Sequence, residues 1–270
     1  MSDEALRQPL PPPHGLALRQ AAVAGALLEY WDTGGPGPAV VLLHPGTGSH
    51  AVWGYQVPAL AASGFRVIAY SRRGHRGSPA TADPGCAATD LAALLDHLGV
   101  ARAHLLGCAA GAIVAFDFAL SFPARVARLV LACTHMGLED ADYAALSAGL
   151  RPEGFARMPG SFRELGPAYR FANPAGAAAW LALEHAALMG PRLEQRRLNR
   201  LDRAALGRLA APVLLVGGDA DLWAPPPAFR LFQRAIPGSA LVILAECGHA
   251  AQWEQPVAFN AAVLGFLGQA

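Results

Sequence analysis

An α/β fold with a mostly parallel central sheet flanked by helices follows from three observations in this sequence. Apolar, β-rich runs alternate with helical patterns along most of the chain. The rhythm stops once, after residue 134, and resumes near 211. Residues able to do chemistry cluster just past the ends of the predicted strands, where parallel sheets gather their ligands. With 270 residues, 53% of them hydrophobic, the chain can hold one large core plus an insertion and is too apolar to be disordered.

The N-terminal stretch MSDEALRQPLPPPHG is acidic and proline-rich. Residues 1–15 are expected to be a loose, flexible leader. The stretch lacks the basic start and apolar core of a secretion signal, so a cytoplasmic location is expected. LALRQ and ALLEYWDTGGPGP read as two short strands closed by a glycine-proline turn. AVVLLH (39–44) and FRVIAY (65–70) read as strands buried on both faces. TDLAALLDHLGV (89–100) has helical periodicity, with Thr89 or Asp90 as its cap. AHLLG is the next strand and 110–121 the next helix, ended by Phe122-Pro123. VARLVLAC follows as a strand.

From His135 to about Asp202 the pattern is helical and is broken by Pro152, Pro159, Pro167, Pro174 and Pro191. Residues 135–205 therefore read as an inserted helical cap on a core made of 16–134 and 206–270. The run RLEQRRLNRLDR (192–203) reads as a solvated helix face at the end of the cap, with a role toward an acidic substrate as the lesser alternative. The core resumes with APVLLVGG (211–218), a helix near 226–236, ALVILAE (240–246) and a final helix from about 253 to 268.

Charge and cysteine usage narrow the partners. The net charge is +1 and every basic residue is arginine, which leaves no footprint for nucleic acid. No uncharged apolar run reaches the ~18 residues of a membrane span. Cys86, Cys108, Cys133 and Cys247 show no metal-ligand spacing and read as buried free thiols. A small-molecule substrate is expected, with no metal, no cofactor, no nucleic acid and no membrane. The oligomeric state is left open, a homodimer included.

Gly107-Cys108-Ala109-Ala110-Gly111 joins a predicted strand to a predicted helix. A nucleophile elbow needs that context: its central residue takes a strained backbone, and small neighbours keep Cβ atoms out of the way. VGGDADLWAPP sets Asp219 and Asp221 just after one later strand, and ECGHAAQWEQP sets His249 just after the next. The chain order is elbow, acid, histidine.

Over residues 16 to 268 the chain resembles the α/β-hydrolase superfamily. VLLHPGTGSHAVW, YSRRGHRGS, HLLGCAAGA, LLVGGDADLWAP and CGHAAQWEQP carry the likeness. It implies the α/β-hydrolase fold with a helical cap, Asp221 rather than Asp219 as the catalytic acid, His249 as the base and position 109 as the nucleophile. It also implies Gly46 and Ala110 as the backbone donors of an oxyanion hole. Motifs shared with the ester- and lactone-cleaving branches, enol-lactone hydrolases among them, imply a carboxylic ester or lactone hydrolase working through an acyl-enzyme. The sequence departs from the pattern at three places. His44-Pro45 replaces the usual His-Gly, Ser71 replaces an aspartate, and alanine stands where serine is expected.

Three explanations of Ala109 compete: an engineered Ser→Ala inactivation, a natural non-catalytic relative, and takeover by Cys108. Takeover fails, because Cys108 at the elbow tip would put Leu106 where a small residue is needed. The intact acid, base and donors favour the inactivated hydrolase. Alanine in a left-handed backbone costs ~1–2 kcal/mol without return, and a chain freed from catalysis would do better with glycine there. Two readings from other classes stay open: a ligand receptor, and a cofactor-free lyase or oxygenase using His249–Asp221 alone. Carbon–carbon bond hydrolysis is a further alternative. His44, Trp53, His135, Trp180 and Trp223, with the cap aromatics, predict a mainly apolar pocket for a small to medium carbonyl compound.

Overall fold

Eight strands pair into one sheet, the first of them at Arg19–Val23, later than the LALRQ run, and joined to the second by Ala24-Gly25 and not by a glycine-proline turn. In the computed structural model, which describes residues 3–12 and 14–268, the strands are β1 (Arg19–Val23), β2 (Ala26–Asp32), β3 (Ala39–Leu43), β4 (Arg66–Tyr70), β5 (Ala103–Cys108), β6 (Val126–Ala132), β7 (Val213–Gly218) and β8 (Ala240–Leu244). Their order is β1-β2-β4-β3-β5-β6-β7-β8. β3 to β8 run parallel, while β2 is antiparallel to both β1 and β4.

Alternation along β3 explains why its five residues are all apolar. Val41 and Leu43 face one layer, Val40 and Leu42 the other, and all four are fully buried. The first layer holds α2 (Ala87–His97), α3 (Ala110–Ser121) and α9 (Pro226–Ala235) through Leu91, Leu94, Phe116, Phe118, Phe229 and Phe232. The second holds α1 (Gln56–Ala62) and α11 (Pro256–Leu267) through Leu60, Phe259 and Phe266. A strand covered on both faces needs no polar side, as a parallel sheet demands.

Two helix boundaries differ from expectation. α2 begins at Ala87, after Cys86, not at a Thr89 or Asp90 cap. Asp90 is diverted to tertiary work: both its oxygens accept from Arg73, at 2.6 and 2.8 Å. The pair is sealed from solvent, with side chains 4% and 3% exposed. Removing one partner of such a pair strands a buried charge. Arg73→Ala is therefore expected to lower unfolding free energy by about 3–5 kcal/mol in a urea titration; a loss below about 1 kcal/mol would mean a solvated pair. The C-terminal helix is split into α10 (Ala251–Glu254) and α11, because Pro256 restricts the residue before it and suits the first turn of a new helix.

Between β6 and β7 lie α4 (Ala141–Leu150), α5 (Gly160–Glu164), α6 (Pro167–Ala172), α7 (Pro174–His185) and α8 (Arg203–Leu206), with no strand of the sheet among them. Pro167 and Pro174 open α6 and α7, where a missing N–H costs nothing. The arginine-rich run is not a helix face. Residues 192–202 are non-helical, and only Arg203–Leu206 is helical. This segment follows the 74–86 loop, with Met189 N donating to Gly74 O at 3.0 Å and Arg196 N to Gly85 O at 3.0 Å. Its backbone groups are satisfied across chains of loop, which outweighs helical propensity.

The leader is not loose over its described residues; Met1, Ser2 and Pro13 lie outside them. A helical turn at Asp3–Leu6 buries Leu6 against Leu165, Tyr169, Trp180 and Trp253. Asn173 Nδ2 donates to Leu6 O and Gln8 O, and Tyr55 OH donates to Pro9 O at 2.8 Å. No helix among the described residues is long and apolar enough to cross a membrane.

Candidate active site

The loops after β3, β5, β6, β7 and β8 meet above the parallel sheet. At the end of β5, Ala109 has φ 51° and ψ −113°, a region L-residues avoid. Two contacts clamp it there: Ala109 N donates to Ala132 O at 2.9 Å, and Thr134 Oγ1 donates to Ala109 O at 3.0 Å. Gly107 and Gly111 let the chain turn so sharply. A Cβ on Gly111 would collide with the backbone of Leu43 and His44, and one on Gly107 would stand 2.5 Å from Ala112 Cα. Strain of this kind costs about 1–3 kcal/mol. Ala109→Gly is accordingly expected to raise the unfolding free energy by about 1 kcal/mol, and the urea midpoint with it, net of glycine's greater unfolded-state freedom. An unchanged or lower midpoint would show that position 109 is not strained.

Asp221, 2% exposed, lies in the loop after β7. Its Oδ1 accepts from Trp223 N at 2.7 Å and Ala224 N at 3.0 Å. Its Oδ2 stands 2.8 Å from His249 Nδ1. The carboxylate is thus fixed by backbone before it meets the imidazole, and it holds the proton on Nδ1, leaving Nε2 as the exchanging nitrogen. Burial opposes charge on His249, but the charge and hydrogen bond of Asp221, helped by Glu164, raise its pKa to about 9. Asp219 points elsewhere; its Oδ1 accepts from Cys247 N.

Glu254 builds the loop that carries His249. Fully buried, it accepts from Gly166 N at 2.8 Å, Gly248 N at 3.0 Å and Ala250 N at 3.1 Å. Burial outweighs these donors and raises its pKa to about 7. Nothing in the local sequence marks it, because its partners come from a loop in the insertion as well as its own turn.

A cavity of about 210 Å³ opens over these groups, lined by Gly46, Thr47, Ala109, Ala110, His135, Arg163, Glu164, Arg192, Trp223 and His249. Among the described residues, neither the Gly46 nor the Ala110 amide donates a hydrogen bond to the fold. Two free N–H groups beside one cavity can receive a developing oxyanion. Trp223 stands on the wall with its ring 6.1 Å from that of His249 and its Nε1 donating to Glu164 Oε1 at 3.1 Å. His135 is there as well, kept neutral by burial and by His249 and Arg151, with a pKa of about 4.

Three expected pocket residues are elsewhere. Trp53 is fully buried in the layer beneath α1 and α11. Trp180 packs with Tyr169 of the insertion and with Leu6 and Trp253 from outside it. His44 clamps two loops: Nε2 accepts from Arg72 N at 3.0 Å, so Nδ1 carries the proton donated to Pro45 O at 2.7 Å. Large apolar rings find the core, and sequence position near a site does not fix which way they face. The cavity is consequently not mainly apolar. Arg163 and Glu164, which no sequence motif marks, and Arg192, the first residue of the arginine-rich run, put charge on its wall. Cys108 does not line it; its Sγ donates to Gln252 Oε1 at 3.2 Å in the packed layer. Among the described residues no group of three His, Cys, Asp or Glu side chains is arranged to hold a metal.

Known proteins resemble this chain in sequence and fold. A 2-hydroxy-6-oxononadienedioate/2-hydroxy-6-oxononatrienedioate hydrolase of Pseudomonas putida is 31% identical, over 89% of this chain and 91% of its own. The crystal structure of a hydrolase from Pseudomonas aeruginosa PA01 superposes with a TM-score of 0.75 at 30% identity, covering 95% of this chain and all of that one. The enol-lactonase from Burkholderia xenovorans LB400 also gives a TM-score of 0.75, at 26% identity, covering 93% of this chain and all of its own. The model of the alpha/beta hydrolase family matches residues 40–262, so the chain belongs to the α/β-hydrolase family.

Proposed function

We propose that this is the site of a carboxylic ester or lactone hydrolase, held in an inactive form by alanine at the position of its serine. The observation that carries the reading is the backbone of Ala109. It keeps the φ of 51° that a nucleophile elbow requires, although a methyl group gains nothing from it. The enol-lactonase likeness supports lactone or ester chemistry.

With serine at 109, the hydroxyl oxygen attacks the substrate carbonyl while His249 Nε2 takes its proton. Asp221 holds the tautomer and offsets the charge of the imidazolium. Gly46 and Ala110 N–H groups receive the oxyanion, each contributing about 3 kcal/mol. His249 returns the proton to the departing alkoxide, leaving an acyl-enzyme, and then activates water to release the acid. In the chain as it stands the carbonyl compound is bound and not cleaved. The charged wall changes the expected substrate from mainly apolar to one with a polar or charged end.

A second reading is a proton-transfer centre without a nucleophile. It is favoured by Glu164, a buried acid with a raised pKa on the same wall as His249. A panel of p-nitrophenyl esters and lactones tested on this chain and on its Ala109→Ser variant separates the two. Turnover confined to the serine variant supports the hydrolase; turnover already present with alanine supports proton transfer.

A further inference from the structure

His135 stands on the cavity wall with Ala109, Trp223 and His249 and has no part in the acyl transfer described above. The turn that carries it, just after β6, is strained at two residues. Cys133 has φ 44° and Met136 φ 57°, and Gly137 completes the turn at φ 62°. Left-handed backbone at a side-chain-bearing residue costs stability. It persists where the surroundings over-determine it, most often at ligand sites. Thr134 ties the turn to the elbow: its Oγ1 donates to Ala109 O at 3.0 Å and accepts from Met136 N at 3.0 Å. The ring of His135 is what this turn presents to the cavity.

The ring is fixed as a neutral donor. Gly137 N donates to His135 Nδ1 at 3.1 Å, so Nδ1 holds a lone pair. Burial, with the charges of His249 and Arg151, keeps the imidazole uncharged, against a weaker opposing pull from the carbonyl of His135 itself. A neutral imidazole with a bare Nδ1 carries its proton on Nε2. Among the described residues nothing accepts from that Nε2–H. Sheet order sets the side from which it acts. β5 lies between β3 and β6, so Gly46 stands on one side of the elbow and His135 on the other. Of the charged groups around His135, His249 bears on it most.

We propose that His135 is a further catalytic residue, donating an Nε2–H hydrogen bond to the departing oxygen of the ester or lactone. The inference rests on the hydrolase reading, with serine at 109. With the carbonyl oxygen held by the Gly46 and Ala110 amides, the alkoxy oxygen is turned toward His249 and His135. When the tetrahedral intermediate collapses, the C–O bond breaks and its electron pair moves onto that oxygen. His249 Nε2 delivers a proton to it. His135 donates a hydrogen bond to a second lone pair and keeps its own proton. A donor aimed where charge develops stabilises the transition state more than the ground state. The help is greatest for basic leaving groups, whose oxygen gathers the most charge.

The kcat/KM values of p-nitrophenyl, phenyl and ethyl butyrate, measured in the Ala109→Ser background, test this. His135→Asn places an amide oxygen where Nδ1 stood, so the Gly137 bond and the turn are kept, but it does not reach the place of Nε2. It is expected to slow the ethyl ester about tenfold or more and the p-nitrophenyl ester by less than about threefold, which steepens the dependence on leaving-group basicity. His135→Gln, whose amide N–H reaches the place of Nε2, should restore part of the loss on the ethyl ester. A merely structural role for His135 lowers all three rates alike. Equal losses, or no loss, with the slope unchanged overturn the role of His135 and leave the hydrolase standing. A serine variant that cleaves none of the esters overturns the hydrolase reading and the role of His135 with it. Ring-nitrogen NMR shifts on the chain as it stands give an independent check. With the His135 signals assigned by their loss in His135→Asn, the ring should be neutral near neutral pH, with its proton on Nε2. A proton on Nδ1, or a charged ring, overturns the proposal.

Discussion

Restoring serine at position 109 is expected to raise turnover of the best ester or lactone on the order of a millionfold, the scale on which comparable triads lose activity when the nucleophile is removed. Serine adds one oxygen to alanine, so the elbow needs no repacking. The contacts that hold residue 109 in place, from Ala132 O and Thr134 Oγ1, are made to its backbone and remain. The backbone strain is already present with alanine, which makes the substitution nearly neutral in stability. The expected signature is a burst of p-nitrophenol, stoichiometric with protein, followed by slower deacylation. His249→Ala in the serine background should abolish the burst. If the serine variant turns over no ester or lactone above the alanine chain, the acyl-enzyme scheme is wrong, and the retained elbow serves binding or proton transfer.

Ala109, Asp221 and His249 are legible in the sequence because each lies within a few residues of a strand end. Strand ends can be read from runs such as VLLVGG and AHLLG, and a parallel sheet brings them to one edge. What a strand end cannot reveal is direction. Trp53 and Trp223 both lie in stretches that follow strands, yet the first is sealed in the core and the second stands beside His249. The decisive difference for Trp223 is the Asp221 turn, whose oxygen takes the Trp223 amide and fixes the ring's exit. Arg163 and Glu164 are illegible for another reason, and so is the place of Arg192 at the cavity. They belong to the segment between β6 and β7, where short helices have little intrinsic stability and their positions are set by packing and loop pairing. The arginine-rich run illustrates this, since its periodicity suggests a helix while its backbone is bonded to the 74–86 loop. The sequence therefore understates the charge at the site, and the cavity is less apolar than its aromatic neighbours suggest.

In the serine-109 enzyme, Asp221→Asn is expected to lower kcat/KM by about ten-thousandfold near neutral pH and to move its pH dependence. An asparagine amide can donate to His249 Nδ1, which puts the ring proton on Nε2, and Nε2 must then be bare to accept from serine. The pH profile tests the electrostatic part independently. His249 must be neutral to act as a base, so activity rises as the imidazole loses its proton. Burial pushes that event below the ordinary value of 6.5, but Asp221 reverses it and sets the pKa at about 9. Activity with Asp221 present should therefore climb through alkaline pH, with a midpoint near that value. Asparagine removes the charge that favours imidazolium and leaves burial in place, so the midpoint should shift to the acid side. A large rate loss with an unmoved midpoint would mean that Asp221 only orients the ring. A moved midpoint with little rate loss would mean that the tautomer is held by something other than Asp221, such as the Glu164 side of the cavity.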